Sequence, residues 1–109
     1  MSTLEDCRSC FIDNDDYRRG EGEAAVTRVL GALLEYDIEH ATNLVESLEV
    51  FFAAQRSWQA AAKQLCVHKQ TLIYRMRRVE QISGRKLDNL DDIAELHLAL
   101  RTRALLRTD

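Results

Sequence analysis

The chain has 109 residues, of which 46% are apolar, four are glycine and none is proline, and its formal charge is -3. This composition predicts one small helical domain and disfavours a β-sandwich, which needs many turn residues. We expect no disulfide framework, no membrane-spanning run of roughly 20 apolar residues and no secretory leader, and therefore a cytoplasmic protein.

The N-terminal part of the chain shows no apolar repeat at helical spacing. Residues 1–23 are polar and acidic, which predicts a flexible acidic leader, and residues 24–109 form the predicted domain. Cys7 and Cys10 have the spacing of half a structural zinc site, but no second pair of ligands follows them. We therefore expect two free thiols, and no metal or cofactor.

Two helical faces follow the leader. Apolar residues recur every three or four positions from residue 24 to 35, and Tyr36-Asp37 is expected to interrupt this first helix. Thr42 or Asn43 is then predicted to cap a second helix that ends near Arg56.

A short helix, a tight turn and a longer helix come next. Ser57 is predicted to cap a third helix that runs to Leu65. Residues 66–68 form the turn, in which Cys66 is expected to be a small buried residue. A fourth helix is predicted from about residue 69 to 83, and it ends at Gly84, a residue type that favours helix termination.

Asn89 is predicted to cap the last helix, with Asp91 and Asp92 in its first turn. His97 lies on the apolar face of this helix and is expected to be packed in a core or an interface. No segment alternates as a strand does. The sequence therefore predicts an all-α fold of about five helices with a central helix-turn-helix.

Basic charge is concentrated in the middle of the chain. Residues 1–50 hold 4 basic and 12 acidic side chains, whereas residues 51–109 hold 11 basic and 6 acidic ones. Within residues 56–86 the net charge is +7, and Glu80 is the only acid. Such a segment is typical of a phosphate-facing surface. A solvated helix face that is balanced by acids elsewhere would have the same composition.

The segment from Ser57 to Met76 has the pattern of a helix-turn-helix. Two helices that meet near a right angle need small residues where their backbones approach, and Ala61 and Ala62 supply them. The turn is only about three residues long, as this motif requires. Three apolar residues are predicted to fill the wedge between the helices: Leu65, Val67 and Leu72.

The outer face of the fourth helix is the predicted recognition surface. When Leu72, Met76 and Val79 face the core, the outward residues are Lys69, Gln70, Ile73, Tyr74, Arg77 and part of Arg75, with His68 at the leading end. The first residues of a recognition helix contact base edges, and Lys or Arg suits guanine while Gln suits adenine. Backbone N–H groups at the start of the third helix can hold a phosphate.

Three of these side chains have a second interpretation. Trp58 is expected to pack as a helix staple, although its indole N–H can donate to a phosphate. His68 is suited equally to a DNA contact and to a hydrogen bond at the helix start. Tyr74 is predicted to contact a phosphate, with half-burial as the alternative.

Four segments of the chain form a recognisable set: LGALLEYD from Leu30, LVESLEVFF from Leu44, AAAKQLCVHKQTLIYRMRRVE from Ala60 and GRKLD from Gly84. Together they resemble the C-terminal helix-turn-helix domain of PucR/CdaR-type bacterial transcriptional regulators. The resemblance runs from about residue 29 to 106. The helix-turn-helix segment is also similar to that of the Fis nucleoid protein and of NtrC-type activators.

The resemblance implies binding of double-stranded DNA by a homodimer, with an effector ligand bound by domains absent from this chain. It assigns DNA-facing positions to His68, Lys69, Gln70, Thr71, Tyr74 and Arg75. Related domains often have Arg or Asn where Lys69 and Gln70 stand, and Arg where Ile73 stands, so a base preference does not carry over. The chain is expected to be either an excised C-terminal domain or a short stand-alone relative.

The predicted function is sequence-specific DNA binding by a bacterial transcriptional regulator. The predicted DNA-contacting residues are Ser57, Trp58, Gln59, His68, Lys69, Gln70, Thr71, Tyr74, Arg75 and Arg78. A Fis-like architectural protein and a helical protein-interaction module are the alternatives, and the basic window argues against the second. No enzyme is predicted, because the chain has no nucleophile elbow, P-loop, dinucleotide-binding glycine pattern or HExxH motif.

Dimerisation is predicted to use helices outside the motif. The predicted interface residues are Val26, Val29, Leu30 and Leu33 in the first helix and Leu96, Leu100 and Leu105 in the last. The alternative is that these two helices pack on each other and close a monomeric core.

Overall fold

The computed structural model describes the backbone of residues 15–107 and the side chains of residues 20–107. Five helices make up this part of the chain: α1 (Asp15–His40), α2 (Leu44–Ala53), α3 (Trp58–Leu65), α4 (Lys69–Ser83) and α5 (Leu90–Arg107). No strand occurs between residues 15 and 107, so the predicted all-α fold is confirmed. The Cys7 and Cys10 pair and most of the predicted leader lie outside the described residues.

Helix α1 is longer than its apolar repeat indicates. It begins at Asp15, within the predicted leader, and continues past Tyr36-Asp37 to His40. Its N-terminal half lies along α5, where Gly22 permits a close approach: a Cβ at this position would lie 3.2 Å from the Thr102 side chain. Packing along a neighbouring helix stabilises helical turns that their own sequence does not favour.

The corner between α1 and α2 is held by one carboxylate. Asn43 occupies the N-cap position of α2, as one of the two predicted positions, but its side chain does not make the expected capping hydrogen bond. Asp37 instead accepts hydrogen bonds from the backbone N–H groups of Leu44 (2.9 Å) and Val45 (3.0 Å), and from the Thr42 hydroxyl. A carboxylate suits this position because it satisfies the unpaired N–H groups and the positive end of the helix dipole.

One apolar core joins all five helices. Its fully buried large side chains are Leu30, Leu33, Leu48, Leu72, Met76, Val79 and Leu96. Three of them belong to α4, so the inner face of this helix is fixed against α1 and α2. Ala61 and Ala62 are buried where α3 meets its neighbours, as predicted from their size.

The apolar faces of α1 and α5 pack on each other within one chain. Of the residues predicted at a dimer interface, Val26, Val29, Leu30, Leu33, Leu96 and Leu100 are buried here, and Leu105 is 71% exposed. The monomeric alternative therefore accounts for this face. His97, which the sequence predicts in a core or an interface, is exposed and not part of the core, and its ring packs edge-to-face with that of Phe52 at 5.5 Å between centroids.

The described helices include none that is both long and apolar enough to cross a membrane.

Candidate nucleic-acid interface

Ser57 starts the helix-turn-helix. Its backbone is extended, and its Oγ accepts a hydrogen bond from the N–H of Ala60 (3.1 Å), so the predicted N-cap of α3 is confirmed. The next residue, Trp58, is half-buried and packs on Phe51 with 4.7 Å between ring centroids. This contact agrees with the staple interpretation and fixes the direction in which the chain enters α3.

The turn between α3 and α4 is closed by backbone hydrogen bonds. Cys66 has the left-handed conformation (φ +60°), and the N–H groups of Cys66 and Val67 donate to the carbonyl groups of Lys63 (3.1 Å) and Ala62 (3.0 Å). This termination points the Cys66 side chain outward, so the expectation that it is buried is wrong. Val67 packs against the core instead.

The first turn of α4 is exposed as a continuous surface. His68 is the N-cap residue of α4, but its ring makes no capping hydrogen bond, so the predicted hydrogen bond at the helix start finds no support. We name the recognition face as the N-cap residue together with the exposed residues of the first three turns of α4: His68, Lys69, Gln70, Thr71, Tyr74 and Arg77. They lie opposite the buried residues Leu72, Met76 and Val79, as the apolar spacing predicts.

The recognition face has two flanks. On the first flank, Lys69, Ile73 and Arg77 border a groove that also contains Arg56 and Trp58 from the start of α3. This groove joins the N-terminus of α3 to the recognition face in one continuous surface. Two acids, Glu80 and Asp88, also line this groove, and the Glu80 carboxylate accepts a hydrogen bond from the N–H of Leu87 (2.8 Å).

The second flank meets the corner between α1 and α2. Here Arg75 donates a hydrogen bond to Oγ of Ser47 (3.0 Å), and Arg78 donates one to the hydroxyl of Tyr36 (3.0 Å). The hydrogen bond to Tyr36 is the main reason that the pKa of Arg78 is raised above its usual value, and the guanidinium stays charged throughout the physiological range.

Sequence reasoning missed Tyr36 and Ser47. Tyr36 lies 42 positions from its partner and Ser47 lies 28 positions from its own, and neither belongs to the helix-turn-helix. Their spacing along the chain carries no signal, because these contacts arise only when α4 packs across α1 and α2. Ser47 is a polar residue on the apolar face of α2, and this irregularity in the pattern is the one hint the sequence offers.

The positive charge of the motif is largely unopposed. Arg85, beyond the end of α4, forms an ion pair with Glu95 (2.9 Å). For this residue, the alternative that acids elsewhere balance the basic charge is correct. Between residues 20 and 107, no basic residue of α3 or α4 forms an ion pair. The recognition face and its second flank therefore present positive charge, and on the first flank three basic residues outnumber two acids.

The family profile of the PucR C-terminal helix-turn-helix domain matches residues 44–102, which include the whole motif and most of α5. The transcriptional activator PmfR of Paenarthrobacter nicotinovorans is 39% identical over 83 residues, which are 76% of this chain and 17% of that protein. The DNA-binding transcriptional activator AdeR of Bacillus subtilis (strain 168) is 36% identical over 74 residues, 68% of this chain and 18% of that protein.

A third relative, the purine catabolism regulatory protein of Bacillus subtilis (strain 168), is 33% identical over 64 residues, which are 59% of this chain and 12% of that protein. The similarity thus spans less than a fifth of the length of each of these relatives. No solved structure shows a significant match to this chain.

Proposed function

The chain belongs to the family of PucR C-terminal helix-turn-helix domains, and on this premise we propose that it recognises a specific double-stranded DNA sequence with α4. Membership of the family confirms the DNA-binding regulatory function predicted from the sequence. What is proposed beyond it is the set of residues that make the contacts and the role of each.

The observation that carries the proposal is the continuous exposure of residues 68–71 at the start of α4. A helix with its side chains is about 10–12 Å wide and the major groove is about 12 Å wide, so the N-terminal turn of α4 can enter the groove. Lys69 suits a guanine and Gln70 suits an adenine by hydrogen-bond geometry. His68 and Thr71 stand beside them on the same surface.

The start of α3 is proposed to hold a phosphate of the DNA backbone. The first N–H groups of a helix have no partner within the helix, and together with the helix dipole they favour an anion. Ser57, Trp58 and Gln59 occupy this position, and the exposed Arg56 lies directly before them. Phosphate contacts of this kind orient the protein on the duplex without reading its sequence.

The chain is proposed to be the DNA-binding part of a regulator that acts as a homodimer in the cytoplasm and has no enzymatic activity of its own. PmfR and AdeR, which bear the name of transcriptional activators, are much longer than the matched region. An effector ligand is therefore assigned to the other domains of such a regulator. This chain supplies the recognition surface.

Selection of bound duplexes from a random pool, followed by variants on the selected site, tests the proposal. Lys69→Ala and Gln70→Ala are expected to relax discrimination at one base pair each by about 1–3 kcal/mol. Arg101→Ala removes an exposed charge on α5, which does not contact α4, and serves as the control. Selection of no consensus would favour architectural binding, and a control that weakens binding as much as the two variants do would remove α4 from the recognition role.

A further inference from the structure

A cleft lies between the second flank of the recognition face and the corner between α1 and α2. Its volume is about 310 Å³. Its polar lining comes from the corner and from α4: Tyr36, Thr42, Asn43, Thr71, Tyr74, Arg75 and Arg78. We name it the corner cleft. Its two arginines are half-buried, so each is partly accessible to solvent and partly held by the protein.

Each guanidinium group has a partner outside α4, and Arg78 also donates to Oε1 of Gln81 within α4 (3.0 Å). Ser47 is fully buried, and its Oγ donates to the carbonyl of Asn43 (2.8 Å) while it accepts from Arg75. Tyr36 accepts from Arg78, and its ring lies 5.4 Å from the Arg78 guanidinium. These contacts use one terminal nitrogen of Arg75 and both terminal nitrogens of Arg78, and they restrict the rotamers of both side chains before any ligand binds.

Among the side chains of residues 20–107, no carboxylate lines the corner cleft. Asp37, the nearest acid in the corner, directs both of its oxygens to the first turn of α2. The same hydrogen bonds occupy the N–H groups of Leu44 and Val45, so the start of α2 does not offer them to an anion. Any anion in the corner cleft must therefore be bound by side chains, chiefly the two arginines and the hydroxyls of Thr71 and Tyr74.

We propose that the corner cleft binds a phosphate of the DNA strand opposite to the one held by the start of α3, and that Ser47 and Tyr36 position the arginines that bind it. The inference rests on the proposed insertion of α4 into the major groove. A helix that fills a groove of about 12 Å has one sugar-phosphate backbone on each side. The first flank already faces one backbone, and the corner cleft lies on the other side of the helix.

This assignment separates two kinds of basic residue on α4. Lys69 projects from the exposed first turn of α4, where it can reach a base edge. Arg75 and Arg78 are tied back toward α1 and α2, away from the centre of the recognition face, and are placed for the backbone. Arg75 and Arg78 are therefore phosphate ligands that carry little sequence information.

The first test measures the affinity of the whole chain for its selected duplex and for a scrambled duplex over a range of salt concentrations. Arg75→Ala and Arg78→Ala are expected to weaken binding to both duplexes equally and to reduce the magnitude of the salt slope by about 0.9 each. Arg101→Ala is again the control. Loss of discrimination at a single base pair in either variant, or an unchanged salt slope, would overturn the phosphate assignment.

The second test addresses the two positioning residues. Tyr36→Phe keeps the ring and removes only the hydroxyl that accepts from Arg78, so the fold is expected to survive, as thermal unfolding can verify. It should weaken DNA binding when Arg78 is present and have no further effect in the Arg78→Ala background. Ser47→Ala should behave in the same way toward Arg75. An effect of Tyr36→Phe that persists without Arg78, or no effect at all, would refute the positioning role.

The third test locates the phosphate. Neutral methylphosphonate linkages are placed one at a time along both strands of the selected duplex. Wild-type binding should weaken at one cluster of positions on each strand, and Arg75→Ala together with Arg78→Ala should abolish the sensitivity on one strand only. Sensitivity confined to a single strand contradicts the inference while leaving the proposed function intact. If Lys69→Ala and Gln70→Ala also have no effect, the proposed function fails with it.

Discussion

Ser57 combines a structural and a proposed functional role at the scale of a single residue. Its hydroxyl accepts from the N–H of Ala60, and its backbone begins the turn of α3 that is assigned to a phosphate. These two roles can be separated, because an N-cap needs only an oxygen acceptor, whereas the phosphate site also requires the absence of negative charge.

We therefore predict different outcomes for two substitutions at this position. Ser57→Ala should lower the free energy of unfolding by about 0.5–2 kcal/mol, since the cap is lost. Ser57→Asp should keep the stability of the wild type, because aspartate caps helices well, but it should weaken DNA binding by placing a carboxylate against a phosphate. Chemical denaturation and a binding titration measure the two effects. Wild-type affinity in Ser57→Asp would place the phosphate elsewhere.

At the scale of helices, the crossing of α3 and α4 determines where the start of α3 lies relative to the recognition face. Ala61 and Ala62 are both buried, and the C-terminal end of α3 closes onto the turn through the carbonyl of Ala62. The backbones approach closely only because these side chains are small. The angle between the two helices, and with it the distance from Ser57 to the recognition face, depends on this packing.

Ala62→Leu is predicted to lower the free energy of unfolding by about 1–3 kcal/mol, because the added methylene groups do not fit the buried site. DNA affinity should fall as well, since any relief of the clash changes the angle between α3 and α4. Ala60→Leu is the matched control, because Ala60 lies on the same helix and is exposed. Equal melting temperatures for the two variants would show that the crossing is not limited by the size of residue 62.

The corner between α1 and α2 lies outside the helix-turn-helix but supplies the hydrogen-bond partners of two arginines on α4. Asp37 holds the two helices at their junction, and Tyr36 and Ser47 lie on either side of that junction. Any change that moves the corner also moves the partners of Arg75 and Arg78. Helix α4 is therefore supported from both sides, by α3 along one flank and by the corner along the other.

At the scale of the whole molecule, the open question is which surface two chains would share in a dimer. Packing of α1 against α5 buries most of the residues that were predicted to form an interface, and this packing leaves Leu98 and Leu105 of α5 exposed at 67% and 71%. The proposal of a homodimer now rests on the expected symmetry of the DNA site. Two recognition helices on one face of the duplex are spaced about 34–36 Å apart when a two-fold axis relates them.

We predict that the chain is dimeric when it occupies a palindromic site. Sedimentation equilibrium at micromolar concentration, with and without a selected palindromic duplex, measures the number of associated chains. With the duplex present, it should give two chains per duplex. Binding of one chain per duplex, with a monomer in both conditions, would contradict the prediction. It would assign dimerisation to other parts of a full-length regulator.

The local elements of this protein are determined by its sequence. Apolar spacing and cap chemistry predicted α3, α4, the cap at Ser57, the termination at Gly84 and the cap at Asn89, and the structure confirms each of them. Such features depend on residues within one or two turns of each other, and for that reason a single sequence reveals them. The outward face of α4 followed from the same spacing.

Tertiary structure decided what depends on distant residues. The length of α1 depends on α5, the cap of α2 comes from Asp37, and the partners of Arg75 and Arg78 come from α2 and α1. In each case the feature is stabilised by a contact between residues that are far apart in the chain, and the local spacing of apolar residues does not encode such a contact. The burial predicted for Cys66 is likewise wrong, because the side chain lies exposed at the left-handed C-cap of α3 and Val67 packs against the core in its place.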